Sequence, residues 1–483
     1  MKLARCVCPF VLFTIVTALA QSNPVPFVNQ PLVPTTTAPG GPSFTLTVNG
    51  TGFVSGASVK WNSAALATTF VSSSQVTATV PASDIATAGT AAVTVANPAP
   101  GGGVSNVMYF NVAKQAASLV FSSLYSSSPG SGYAMIAADF NGDGKLDLAL
   151  LDVDPSMLVV ALGNGDGTFQ SPSQYATGNQ PEGLVAADFN GDGKLDVAVV
   201  NHEDNTVSVF LGNGDGTFQA AKIFATGASP VSVVTADFNG DGKLDLAIND
   251  GNSIAILLGD GDGTFQSPTD YTPGAVIDGM AVGDFNRSGK LDIALSCYSN
   301  SEGPQLFVLL GNGDGTFQVP AGVSMENRGS QWMFAVDLNG DGKLDLVFSL
   351  QLQFAGIAVF LGNGDGTFRQ GEQIQIGLQP LGLVAGDFNA DGKLDLAAAT
   401  SGSVGIALGN GDGTFQDAVT FPTAPPGCDG LCFPEVLVAG DFNGDGRTDL
   451  AATVINTGDG PVDNLQVLLQ GPRPALIWNW AKH

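Results

Sequence analysis

Seven near-identical nonapeptides set what this chain can fold into. DFNGDGKLD begins at Asp139, Asp188 and Asp237, DFNRSGKLD at Asp284, DLNGDGKLD at Asp337, DFNADGKLD at Asp387 and DFNGDGRTD at Asp441. The spacings are 49, 49, 47, 53, 50 and 54 residues. A period near 50 implies a repeated supersecondary unit, each copy burying its apolar surface against its neighbours. A second signature, LGNGDGTF or LGDGDGTF, ends at Phe169, Phe218, Phe265, Phe317, Phe368 and Phe415, and the seventh unit lacks it. Between the signatures lie short apolar, β-branched runs. In the second unit these are residues 184–187, 195–200 and 207–211, with a further run after Phe218. Such runs, bounded by Gly, Asn and Asp, predict strands, and no stretch holds a helical period. Four strands per unit and seven units predict an all-β, seven-bladed β-propeller over residues 117–471, with a tail at 472–483. The last unit supplies LQVLL at 465–469 and then stops. Residues 117–127 (ASLVFSSLYSS) are therefore expected to return as its missing fourth strand, closing the ring and removing an open edge.

The nonapeptides also carry chemistry. Positions 1, 3, 5 and 9 bear oxygen-bearing side chains, position 6 is Gly, and position 7 can offer its carbonyl. That schedule matches the EF-hand calcium loop through position 9, although position 12 is Leu150 in the first copy rather than Glu. The expected ligand sets are Asp139, Asn141, Asp143, Lys145 and Asp147; Asp188, Asn190, Asp192, Lys194 and Asp196; and Asp237, Asn239, Asp241, Lys243 and Asp245. They continue with Asp284, Asn286, Ser288, Lys290 and Asp292; Asp337, Asn339, Asp341, Lys343 and Asp345; Asp387, Asn389, Asp391, Lys393 and Asp395; and Asp441, Asn443, Asp445, Arg447 and Asp449. In every set the Lys or Arg contributes only its carbonyl. Asn-Gly and Asp-Gly would also suit plain hairpin turns, but turns do not call for three carboxylates in nine residues. Crowded like charges favour a compensating cation. Up to seven Ca²⁺ are expected, the weakest at the Asp284 loop, where Ser288 replaces an Asp. The GNGDGTF turns lack the Gly-Lys-Ser/Thr ending of a phosphate loop and are expected to be structural hairpins, each with a core Phe.

Taken together, these motifs resemble the FG-GAP/VCBS repeat family, whose blades also build the integrin α-subunit propeller. The resemblance covers roughly residues 117–471. It implies a seven-bladed ring with one calcium per complete loop and adhesive or cell-surface roles.

Residues 24–113 lack the period but show alternating runs such as FTLTV at 44–48, TATV at 77–80 and AAVTV at 91–95. They read as a small β-sandwich. The phrases NGTGFVSGASVKWNSAAL, TATVPASDIATAGTAAVTVANPAPGG and SNVMYFNV are similar to IPT/TIG domains, which implies an immunoglobulin-like spacer or binding module without catalytic residues. Trp61 is expected in its core.

Residues 1–20 combine Lys2 and Arg5 with an apolar run ending in Ala-Leu-Ala, the pattern of a cleavable signal peptide. The run is too short to span a bilayer. The exported chain would carry 15 − 44 = −29 once Lys2 and Arg5 leave the 17 Lys+Arg. Such a charge argues against nucleic acid and against anionic membrane surfaces. Of 44 acidic residues 38 are Asp, a poor helix former, which places the charge in loops. Cys428 and Cys432 could close a small disulfide outside the cell; Cys297 has no evident partner.

Two His remain after the signal, His202 and His483, and neither GxSxG nor HExxH occurs. His202 reads as a solvated loop residue. The expected function is a secreted or cell-surface, calcium-binding propeller for adhesion or recognition, not an enzyme; the alternative is a secreted carbohydrate-active lyase or hydrolase. Antiparallel strands place the Asp loops and GNGDGTF turns on one face. A protein or glycan partner is expected on the opposite face, around 201–205, 297–305, 349–356 and 456–464, with Tyr298 and Trp332 as exposed aromatics.

Overall fold

The computed structural model describes residues 22–116, 118–127, 134–299, 303–318, 323–325, 329–350, 356–377, 380–423, 432–456 and 464–471. The expected signal segment, the Cys428–Cys432 pair, Tyr133 and the C-terminal tail therefore lie outside the described residues or reach outside them. Strands dominate what is described; the one helix among these residues is a 3₁₀ turn, Ala82–Ile85.

The described residues form nine sheets. Two belong to the N-terminal sandwich. One orders Phe27–Val28, Phe44–Thr51, Gln75–Val80 and Ala67–Ser72; the other is built around Gly89–Asn97, flanked by Met108–Val112 and Ser58–Trp61. Alternate residues of these strands point inward, so Leu46, Val48, Val59, Val76, Val93 and Val95 are fully buried. Trp61 sits in that core beside Phe110, ring centroids 5.2 Å apart.

The other seven sheets are the repeat. In the second, Pro181–Ala187, Asp196–Asn201, Thr206–Phe210 and Lys222–Ala225 pair antiparallel in sequence order. The second strand, Asp196–Asn201, is buried throughout and the third is buried beyond Thr206, as sheets packed on both faces require. The last sheet is completed by Phe121–Ser127, which pairs with Asn464–Gln470 across more than 330 residues of sequence. Seven apolar clusters fill the seven spaces between consecutive sheets, and one of them joins the seventh sheet to the first through Leu146, Leu148, Val436 and Val467. The sheets thus close into a ring. First strands of neighbouring sheets lie against each other, as Met135–Ala138 does with both Pro181–Ala187 and Cys432–Gly440.

Candidate metal centre

Each Asp loop joins the first and second strands of its sheet, and its geometry follows from two acceptor residues. Asp139 receives the amides of Gly142 and Asp143 on Oδ1 (2.8 and 3.2 Å) and that of Gly144 on Oδ2 (2.9 Å). Asn141 and Asp143 accept the amides two residues on. Asp147, fully buried at the start of the second strand, accepts the amide of Phe140 at 2.9 Å and that of Gly163, in the GNGDGTF turn, at 2.8 Å. The same pattern recurs through Asp196, Asp245, Asp292, Asp345 and Asp395. In the seventh loop, whose unit lacks the turn signature, Asp449 accepts the amide of Gln470 instead.

The two signatures also join neighbouring sheets, which the sequence did not disclose. The amide of Gly216 donates to the carbonyl of Phe140 one sheet earlier, and Gly167 likewise to Phe442, across the ring closure. The loop Phe of one sheet meets the turn Phe of the next edge-on: Phe140 with Phe218 at 5.7 Å, Phe189 with Phe265 at 5.6 Å, Phe442 with Phe169 at 6.1 Å. The equal phase of the loop Phe and the turn Phe, kept in most periods although Leu338 replaces the loop Phe in the fifth, is the signal that could have revealed this pairing. As expected, the turns are hairpins with a Phe at the sheet interface.

The loop charge is poorly compensated. Burial, reinforced by the neighbouring loop carboxylates, raises the position-9 groups: Asp147 and Asp196 to about 6, Asp245 and Asp345 to about 7, Asp395 and Asp449 to about 8. The basic residue at position 7 reaches only position 5, for example Lys145 to Asp143 at 3.4 Å and Arg447 to Asp445 at 3.6 Å, both at the surface. Three Asp and one Lys or Arg leave six of the loops at −3 + 1 = −2. The Asp284 loop differs: Ser288 removes one charge and Arg287 adds one, so Asp284 and Asp292 against Arg287 and Lys290 sum to zero. Arg287 acts directly on Asp284, lowering a carboxyl that burial raises. Sequence reading recorded the loss of the Asp and missed the gain of the Arg beside it.

Among the described residues no three of His, Cys, Asp and Glu stand together as a ready cage. Each carboxylate oxygen that accepts one amide keeps a further lone pair, so the all-oxygen donor set and its −2 charge still fit a hard divalent cation.

The N-terminal sandwich lies on this loop face. Val25 donates its amide to Asp237 Oδ2 at 2.8 Å, Thr35 its hydroxyl to Asp387 Oδ2 at 3.2 Å, and Thr90 its hydroxyl to Asp441 Oδ2 at 2.9 Å. The amide of Asp337 donates to the carbonyl of Gln30 at 3.0 Å. Phe27 packs against the cluster between the third and fourth sheets, and Tyr109 against that between the seventh and first.

Two expected aromatics are corrected. Tyr298 and Trp332 are half-buried rather than exposed. Trp332, on a first strand facing the axis of the ring, packs against two of the inter-sheet clusters. On the face opposite the loops, Glu203, Asp204 and Asn205 are exposed, and His202, partly exposed, has Nδ1 3.6 Å from Glu182. Much of the 297–305, 349–356 and 456–464 segments falls outside the described residues.

Fold and loops together define a β-propeller of acidic-loop repeats carrying an N-terminal sandwich. The chain belongs to the FG-GAP-like repeat family, whose model matches residues 139–199, 188–248, 237–295, 284–348, 337–398 and 387–452. Residues 29–111 match the IPT/TIG domain. No curated protein sequence matches the chain. Among solved structures it is similar to an Agrocybe aegerita lectin described as specifically recognising non-reducing terminal N-acetylglucosamine, at 22% identity, covering 70% of this chain and 90% of that one with a TM-score of 0.46. It is also similar to an auxiliary nutrient binding protein of Bacteroides ovatus, at 12% identity over 93% of this chain and 98% of that one, TM-score 0.35. Among the described residues no helix is long and apolar enough to cross a membrane.

Proposed function

We propose that this protein is an exported, calcium-stabilised propeller that recognises a protein or glycan partner with the face opposite its Asp loops. The observation that carries this reading is the division of the ring into two unlike faces. One bears seven Asp loops, six of them at −2, and is overlaid by the N-terminal sandwich through Val25, Thr35 and Thr90. The other bears the strand connections that differ from sheet to sheet, including the exposed 203–205 segment. Six divalent ions would bring six loops to neutrality, while the Asp284 loop is neutral unaided. The ligand sets are those given by sequence, read at positions 1, 3, 5, 7 and 9. Calcium suits them because it accepts six to eight oxygens in irregular geometry.

The test is a glycan and protein array probed with the full chain, in calcium and in chelator. Tyr298→Ala and Glu203→Ala should abolish retention, whereas Asp192→Asn, on an exposed loop of the other face, should leave it intact. Loss of retention with Asp192→Asn alone would overturn the assignment of faces. New reducing ends or unsaturated sugars released from a polysaccharide panel would show an enzyme instead.

A further inference from the structure

The sandwich does not cover the loops evenly. The first carboxylates of five loops are buried, Asp237 at 7%, Asp284 at 8%, Asp337 at 8%, Asp387 at 6% and Asp441 at 7% exposure, whereas Asp139 and Asp188 remain half-buried. Four of those five belong to loops at −2, and three accept a hydrogen bond from the sandwich. At two of these loops the backbones nearly touch. A Cβ on Gly242 (φ +87°) would lie 2.7 Å from the carbonyl oxygen of Asn23, and one on Gly446 (φ +82°) would overlap the carbonyl of Val112. Beside this contact a cavity of about 190 Å³ is lined by Pro24, Val25 and Thr51 of the sandwich and by Asp237, Asn239 and Lys290 of the ring.

The covering surface brings no charge to meet these carboxylates. Between residues 22 and 113 the only charged side chains are Lys60 and Asp84, which cancel. Hydroxyl and amide donors satisfy single oxygens, but a carboxylate taken out of water beside two others is unfavourable unless its charge is balanced. On the calcium reading above, on which this inference rests, the balance comes from ions in the loops.

We propose that divalent ions in the Asp237, Asp337, Asp387 and Asp441 loops hold the N-terminal sandwich on the propeller, and that emptying those loops releases it. The sandwich is thus a cation-dependent cap. By linkage, docking raises the affinity of the four covered loops by the same factor that their ions favour docking, typically about 5–150-fold for such couplings. The Asp188 loop, outside the cover, binds and exchanges independently of it, while at the Asp139 loop Tyr109 of the sandwich meets the Asp139 backbone and leaves its carboxylate half-buried. The seven loops accordingly fall into four kinds: four covered and linked, one touched at its edge by Tyr109, one open, and one neutral.

Hydrogen–deuterium exchange on the full chain tests this, run beside a calorimetric calcium titration. Expected is slow exchange at Val25, Phe27 and Tyr109 in calcium and at least tenfold faster exchange there in chelator, with the interior of the sandwich, around Val59 and Val93, unchanged. A variant carrying Asp237→Asn, Asp337→Asn, Asp387→Asn and Asp441→Asn removes the first carboxylate of all four covered loops yet keeps acceptors for Val25, Thr35 and Thr90; it should stay docked in chelator. Asp188→Asn should leave docking and its calcium dependence untouched. Calcium binding with no change of exchange at the interface overturns the cap and leaves the calcium reading standing. Absence of calcium binding overturns both.

Discussion

Converting the neutral loop into an acidic one probes the charge argument where it is sharpest. Arg287→Gly with Ser288→Asp would set three carboxylates, those of Asp284, Asp292 and the new side chain between them, against Lys290. The loop would go from zero to −3 + 1 = −2, the value of its six counterparts. The backbone already suits the change, since Arg287 stands at φ +57°, and Gly relieves strain of about 0.5–1 kcal/mol there. Against that, two new like-charge pairs about 6 Å apart, at an effective dielectric of about 40, cost about 1.4 kcal/mol each, and the lost Arg287–Asp284 attraction adds about 1 kcal/mol. Net destabilisation of about 3 kcal/mol is expected in chelator. Calcium at about 100 times its dissociation constant returns about 2.7 kcal/mol, so the variant should match the parent in calcium and melt about 3–4 °C lower without it. Titration calorimetry should count one more ion per chain than in the parent. An unchanged count, or a melting difference indifferent to calcium, would refute the reasoning.

Three further outcomes follow from particular contacts. Asp250 is buried with the backbone amide of Gly227 beside its carboxylate, too poorly placed for a good hydrogen bond, and burial together with Asp270 raises it to about 7. Its counterpart one sheet earlier, Asn201, accepts from Gly178 and donates to Thr206 and Ser208. Asp250→Asn should therefore stabilise by about 1 kcal/mol or more at about pH 8, where the buried acid is ionised; because the folded pKa is the raised one, the gain should fade as pH drops through about 7 toward about 5, read by urea denaturation at each pH. Phe218→Ala, removing a buried ring that meets both Phe140 and Tyr175, should cost about 3–5 kcal/mol, and Phe169→Ala, half-buried with one such neighbour, clearly less, measured by the same denaturation. Gly446→Val, which places a side chain against Val112, should speed amide exchange around Val112 while leaving exchange in the middle strands of the ring unchanged.

The ring was legible because its determinants are local and repeated. Asp, Asn and Gly at fixed offsets mark each loop, and the absence of one turn signature marks where Phe121–Ser127 must return. Trp61 fell into the sandwich core as its alternating strand requires. What escaped was set by contacts distant in sequence. Val25 and Thr35 belong to no motif, Thr90 lies in a stretch that reads only as sandwich, and nothing in their neighbourhood announces that they meet Asp237, Asp387 and Asp441. Trp332 read as exposed because it was assigned to a link between sheets, yet it lies in the strand Gly329–Val336, and first strands crowd toward the axis of the ring, where a large side chain reaches several neighbouring sheets. Arg287 was visible in the sequence, but its meaning depends on standing beside Asp284 in a loop that had lost another carboxylate.

The most direct measurement is the number of divalent ions held by the purified, metal-replenished chain, determined by elemental analysis together with the melting temperature in calcium and in chelator. Six calcium ions per chain and a clear fall in melting temperature on chelation are predicted. A chain that retains no calcium and melts at one temperature in both conditions would contradict the account.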